Sequence, residues 1–263
     1  MEFLSNYVLA FELKEQIKVP TEYRKLTFGE FKDIFLEDKK RGYSYNTIIN
    51  IKCALAKFTK LDNTPLIDIS YINVKPCVDK MIDDGLSGST IKDYLGKMVM
   101  LFNHSIENYE IMKVNPIKVS QYKVPGKSKA KKIQALTPAE LEDLLSKLDG
   151  PDYYFSLIAS KCGLRLGEIN GLVSSALDFK EGQIIVDKQW KKINNKKYDF
   201  GKLKTHNSYR KVPIPKRYIK ELKAYNATCI KSINGRIFID KINPTTGIRL
   251  VSKYKKIGYD ISV

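Results

Sequence analysis

The chain has 263 residues, enough for about two domains. Its 43% hydrophobic and 29% charged residues make a globular composition rather than a disordered one. No apolar run approaches the roughly 18 residues of a membrane span. The net charge is +17, and nearly all of that surplus falls in residues 119–263, whereas residues 1–118 are close to neutral. Such an asymmetry points to a polyanionic partner, with nucleic acid first. A basic surface kept only for solubility is the weaker alternative. The lysines fall on linker, hairpin and helix alike, which argues against a membrane-surface helix.

Residues 1–24 read as a short helical lead-in. The opening stretch is broken by Glu2, Glu12 and Lys14 and has no basic start, so it does not read as a signal peptide. The expected location is cytoplasmic. Residues 25–118 read as an all-helical domain of about four helices. Thr27 and Glu30 form a capping box ahead of Phe28, Phe31, Ile34 and Phe35 at helical spacing. A second helix starts near Ser44 and carries Ile48, Ile51, Leu55 and Phe58. A third covers Tyr71–Asp84, closed by Gly85. A fourth, Thr90–Tyr109, has Ser89 as its expected cap, and Asn115-Pro116 closes the domain.

Residues 119–135 read as a basic linker. Lys123, Lys127, Lys129, Lys131 and Lys132 stand there with no acid, so the segment reads as a strap along a phosphate backbone or as a plain solvated tether. Residues 136–263 read as a second, mixed α/β domain. Thr137, Pro138 and Glu140 open a helix running to about Leu148. Another covers Tyr153–Cys162 and stops at Gly163, and a short one follows. Gln183–Lys192 and Tyr209–Ile214 are expected strands, with a turn at Asn194-Asn195. A helix at Pro215–Thr228, a short strand at Arg236–Ile239 and a helix at Thr246–Lys256 complete the reading. The fold class is mainly α with a small antiparallel sheet.

Cys53, Cys77, Cys162 and Cys229 are too scattered for a zinc site or a redox pair and read as reduced core residues. With only His104 and His206, a His-rich metal site or a Ser-His-Asp triad is not expected. Both histidines read as interfacial or exposed.

Two local patterns carry chemistry. In Gly163-Leu164-Arg165-Leu166-Gly167-Glu168, Arg165 stands at the start of a helix. A guanidinium there can grip a phosphate bidentately, and Glu168 three residues on can hold its rotamer. Spacing alone fits an ordinary surface salt bridge at least as well. In Lys204-Thr205-His206-Asn207-Ser208-Tyr209-Arg210-Lys211-Val212-Pro213, a lysine stands before a polar turn that leads into a strand. It can serve as a mobile proton donor or be one more solvated lysine.

In this order, behind a helical domain and a basic linker, the two patterns resemble the tyrosine recombinases of the phage-integrase type. The first matches the family's GLR-x-x-E context, and the second matches K-T-x-x-S-x-R-x-V-P on a β-hairpin. Gly85–Ile91 and Asn115-Pro116 resemble the limits of the last helix in the family's core-binding domain. The resemblance spans the chain from about Leu26. It implies that Arg165 binds the scissile phosphate, that Lys204 protonates the leaving 5′-oxygen, and that Glu168 supports Arg165. It further implies DNA contacts from Thr90, Lys92 and Lys97, from Lys127, Lys129, Lys131 and Lys132, and from Lys191, Lys192 and Arg210. The partners it implies are double-stranded DNA and other recombinase protomers, with a bacterial or phage origin and association with the nucleoid. No metal and no cofactor is implied, because a phosphotyrosine intermediate conserves the bond energy.

The family's H-x-x-R motif and its later tyrosine nucleophile do not follow the lysine motif within these residues. The expectation is a chain that binds DNA and does not cleave it alone. The competing reading is a DNA-binding transcriptional regulator on a recombinase scaffold, although such a regulator has no use for a proton-donating Lys204. An RNA-binding or structural role ranks last, because no RNP1 pattern, GXXG loop or aromatic stacking strip is present.

Overall fold

The computed structural model describes residues 25–126, 135–204, 208–239 and 246–261. It divides into two compact units, residues 1–132 and 133–263. The expected lead-in at 1–24 lies outside the described residues.

The first unit is helical: α1 (Phe28–Lys40), α2 (Tyr45–Leu55), α3 (Tyr71–Asp83) and α4 (Gly88–Glu107). The capping box of α1 forms as expected. The Thr27 hydroxyl accepts from the Glu30 amide, and the Glu30 carboxylate accepts from the Thr27 amide at 2.8 Å. Ser44 caps α2 by accepting from the Thr47 amide. Phe28, Phe31 and Phe35 are fully buried on one face of α1. They share a core with Ile51, Leu55, Met81, Leu95 and Phe102.

Three local expectations change. The α2 run does not continue to Phe58, because the chain tightens into a 3₁₀ segment, Ala56–Leu61, where Phe58 leaves helical geometry and buries its ring. Ser87, not Ser89, caps α4 by accepting from the Thr90 amide, which starts the helix at Gly88. The domain does not close at Asn115-Pro116 either. Ile117 and Tyr122 are buried in the same core, and Val119 and Val124 pack against it. The first part of the expected linker is therefore core, because its apolar side chains outweigh its single lysine.

Gly88 shows how tightly this exit segment is held. A Cβ at Gly88 would lie 1.9 Å from the Pro125 carbonyl oxygen. Backbone cannot yield as a side-chain tip can, so Gly88→Ala must displace the segment. We expect a loss of about 1–3 kcal/mol of stability, the usual cost of overpacking. Thermal unfolding checks this; an unchanged melting temperature would show that the segment shifts at no cost.

His104 is buried at the α1–α4 interface, where its Nε2 donates to Asp38 at 2.9 Å. It is thus the interfacial histidine expected. Cys77 is buried, but Cys53 is exposed on α2 and is not a core residue, since the buried face of that helix is taken by Ile51, Ala54 and Leu55.

The second unit contains α5 (Pro138–Ser146), α6 (Gly150–Cys162), α7 (Leu166–Asn170), α8 (Lys216–Thr228) and α9 (Thr246–Lys256). Its strands are β1 (Leu177–Asp178), β2 (Gln183–Val186), β3 (Gln189–Lys192), β4 (Tyr198–Gly201) and β5 (Arg210–Pro213). Strands β1, β2 and β5 form one antiparallel sheet with β2 in the middle, and β3 and β4 form a separate antiparallel hairpin. The capping box at Thr137 and Glu140 opens α5 as expected. Helix α6 starts earlier than Tyr153, with Asp149 as N-cap and Pro151 in its first turn. It ends at Gly163 in the left-handed region, φ +64°, where glycine is at home.

The single strand expected over Gln183–Lys192 is two strands in two sheets. Between them the chain leaves β2 and turns onto α7. Gly171 permits this, because a Cβ there would meet the Trp190 nitrogen at 2.7 Å. The turn at Asn194 forms as expected, with its side-chain oxygen accepting from the Lys196 and Lys197 amides. The strand after that turn, β4, has a mixed signal in sequence: Tyr198 and Phe200 favour a strand, but they alternate with Asp199 and Gly201, which are depleted in strands. The strand expected at Arg236–Ile239 is only an isolated bridge between Val173 and Arg236.

Helix α9 is anchored on α6. Leu250 and Tyr254 are buried, the Tyr254 hydroxyl lies 2.6 Å from Ser156 Oγ, and Arg249 and Lys253 both reach Asp152. No helix among the described residues is long and apolar enough to cross a membrane.

Candidate nucleic-acid interface

The left-handed Gly163 turns the chain out of α6 and delivers Arg165 to the N-cap position of α7. The Arg165 side chain is 70% exposed, whereas Glu168, one turn along, is 3% exposed. The Glu168 carboxylate accepts from the Arg165 amide at 2.8 Å and from its Nη1 at 2.9 Å. The pairing is therefore more than a surface salt bridge: one partner is buried, and the other keeps most of its donors toward solvent.

A third residue completes the cluster. Arg210, at the start of β5, donates to both oxygens of Glu168, at 3.0 and 2.8 Å. Its guanidinium also donates to the Ser208 and Gly163 carbonyls, at 3.2 and 3.4 Å. Burial pushes the Glu168 carboxyl up, but the Arg210 bonds, the Arg165 amide and the Arg165 guanidinium outweigh it. The net effect holds Glu168 below the usual carboxylate range. The expectation that Arg210 contacts DNA meets an arginine whose two terminal nitrogens are engaged within the protein.

Lys204 follows β4 by three residues and is exposed. Its segment is tied at both ends. Gln189 donates to the Lys202 carbonyl at 2.8 Å, and Leu203 is buried on one side while Ser208 is buried on the other. Thr205, His206 and Asn207 lie outside the described residues. Since β3 packs on α7 and β5 is tied to Glu168, the lysine segment is bracketed by contacts to the helix that carries Arg165.

A further residue of this neighbourhood has no signal in sequence. Arg236 is 8% exposed and stacks on Trp190 of β3, its guanidinium carbon 3.7 Å from the ring centroid. Its Nη1 donates to the carbonyl of Asn170, the last residue of α7, at 3.1 Å. Burial lowers its affinity for a proton. Arg236 thus joins the end of α7 to the hairpin, a contact between segments far apart in the chain.

The other sequence-predicted residues belong to both units or lie outside the described residues. Lys191 and Lys192 lie half-buried on β3, with the Lys191 stem across Gly201. In the first unit Lys92 is exposed on α4, the Thr90 hydroxyl bonds Ser87, and Lys97 pairs with Asp93 at 3.2 Å. Lys127, Lys129, Lys131 and Lys132 lie outside the described residues. No group of three or more His, Cys, Asp or Glu among the described residues could hold a metal ion.

No family model matches the chain. A tyrosine recombinase XerC-like protein of Caldanaerobacter subterraneus subsp. tengcongensis is 28% identical over 169 residues, or 60% of this chain. The chain spans 43% of that relative's length, less than half. Among solved structures, the Tn1549 transposon integrase in complex with circular intermediate DNA matches with a TM-score of 0.71 at 21% identity. That match covers 90% of this chain and 81% of the integrase chain. A lambda integrase dimer bound to a core site matches with a TM-score of 0.63 at 17% identity, covering 95% of this chain and 68% of the other. The expected mainly α class is the one observed, with two small antiparallel sheets where one was expected. The chain thus has the fold of these integrases and is similar in sequence to part of a XerC-like tyrosine recombinase.

Proposed function

We propose that this chain binds duplex DNA for site-specific recombination or integration. The observation that carries the reading is Arg165, held by a buried carboxylate at a helix start while its guanidinium faces solvent. A planar fork so held suits a phosphate oxygen pair. Arg165 would bind the scissile phosphate and stabilise the charge of its pentacoordinate transition state. Lys204 would protonate the leaving 5′-oxygen, and Glu168 would hold Arg165 in place. The lysines of the strap and hairpin would neutralise flanking phosphates. Other protomers are the further partners, and the cytoplasm of a bacterium, with its nucleoid, is the proposed location.

Neither histidine begins an H-x-x-R, so no tyrosine follows one in these 263 residues, and we infer that the family's second arginine and nucleophile are missing from this polypeptide. Tyr254 and Tyr259 precede the place of that motif. In the structure Tyr254 is buried against Ser156, and Tyr259 donates to Asp143. This polypeptide by itself is therefore expected to bind a nicked suicide duplex without forming a covalent adduct. Gel-shift and denaturing electrophoresis of the same mixture test both halves. A denaturation-resistant adduct would overturn the second half, and the absence of any shift would overturn the first.

A further inference from the structure

We propose that Arg210 is a positioning residue that acts through Glu168 to fix Arg165, rather than a DNA contact in its own right; the DNA arm of its test rests on the function proposed above. The geometry is reciprocal. Each oxygen of Glu168 serves both arginines: Oε1 accepts from Arg165 Nη1 and Arg210 Nη1, and Oε2 accepts from the Arg165 amide and Arg210 Nη2. The Arg165 amide and Nη1 hold one oxygen each, and Arg210 holds both from the other side. Arg210 is thus the anchor independent of Arg165 that keeps Oε1 presented to the Arg165 guanidinium when that guanidinium moves.

The contrast between the two guanidinia separates their roles. Arg165 is 70% exposed, and Arg210 is 29% exposed. Each terminal nitrogen of Arg210 has two internal acceptors: Glu168 and Ser208 for Nη1, Glu168 and Gly163 for Nη2. To grip a phosphate it would have to abandon a buried carboxylate. The Gly163 carbonyl is also the hinge from which the chain turns toward Arg165, so Arg210 ties that hinge, the supporting acid and the start of β5 together. Lysine cannot substitute, because an ammonium has no planar fork to span both carboxylate oxygens.

The test is a set of four proteins: wild type, Arg210→Lys, Arg165→Ala and the double variant. Nitrogen-15 relaxation of the Arg165 side chain, assigned by its loss in Arg165→Ala, is read first and needs no DNA. Arg210→Lys is expected to make the Arg165 Nε markedly more mobile although net charge is unchanged. A merely structural role would lower the melting temperature and leave that mobility alone, which would overturn the proposal. Duplex affinity by fluorescence anisotropy is read second. Arg165→Ala and Arg210→Lys are each expected to weaken binding roughly tenfold, about 1.4 kcal/mol, and the double variant hardly further. Additive losses would make Arg210 an independent DNA contact and overturn the proposal. If wild type binds no duplex, the proposed function fails while the relaxation result still decides this inference. Should Arg210→Lys not fold, Glu168→Gln replaces it in both measurements, with the same expected mobility of Arg165.

Discussion

Glu168→Ala is expected to destabilise the second unit by about 3 kcal/mol, at the lower end of the range for breaking a buried pair. The carboxylate is almost fully buried and neutralises two arginines at once. Removing it leaves two guanidinia near one another without an anion between them. The exposure of Arg165 lets water take up part of the loss, which is why the upper end of the range is not expected. Chemical denaturation followed by the fluorescence of Trp190, the only tryptophan in the chain, measures the effect directly. A shift of only a few tenths would mean that solvent compensates both arginines and that the cluster is a surface feature.

The same variant has a pH signature. Glu168 is held below the usual carboxylate range in the folded state. Its contribution is therefore fully present above the unfolded value, about 4.3. It is lost as pH falls through the lowered folded value. The stability gap between wild type and variant should be constant from neutral pH down to about 5 and should close in stronger acid. A gap that closes instead near neutral pH would place the Glu168 pKa above the usual range, contrary to its hydrogen bonding.

The second large effect is on DNA affinity as a function of salt. If about six phosphates are neutralised, the logarithmic slope is about −5, and affinity falls roughly 10³-fold from about 50 to 200 mM salt. The cations available are in the second half of the chain, where nearly all of the +17 charge resides. Anisotropy titrations at four salt concentrations give the slope. Substituting the strap lysines, Lys127, Lys129, Lys131 and Lys132, should make it shallower by about 0.9 for every phosphate that is no longer neutralised. A flat salt dependence would remove the electrostatic basis for a nucleic-acid partner.

Much of this molecule was legible in one dimension. Capping boxes at Thr27 and Thr137, the phenylalanine stripe of α1, the glycine stop at Gly163 and the limits of α9 are local signals: each depends on residues within a turn or two of one another. The Arg165 and Glu168 pair was legible for the same reason, since three residues apart on a helix is a contact that sequence spacing already specifies. The Lys204 motif is proposed from sequence alone because its residues are contiguous.

What sequence did not determine depends on segments meeting across the fold. The split of Gln183–Lys192 into two sheets follows from Gly171, a dozen or more residues earlier, which admits the backbone of β3 against α7. The burial of Tyr122 follows from an apolar face on other helices that a linker composition does not reveal. Arg210 read as one more cation beside many, and only the approach of β5 to α7 showed that its donors are taken up by Glu168. Arg236 carried no signal because stacking on Trp190 and capping Asn170 join residues some 40 to 70 positions apart. Sequence by itself determined most of the helices, the charge asymmetry and the two motifs, because helix propensity, capping and net charge are properties of short stretches. Tertiary structure decided which charges face solvent and which hold the others in place. A side chain's freedom to bind a phosphate depends on which acceptors reach it first, and those arrive from distant parts of the chain.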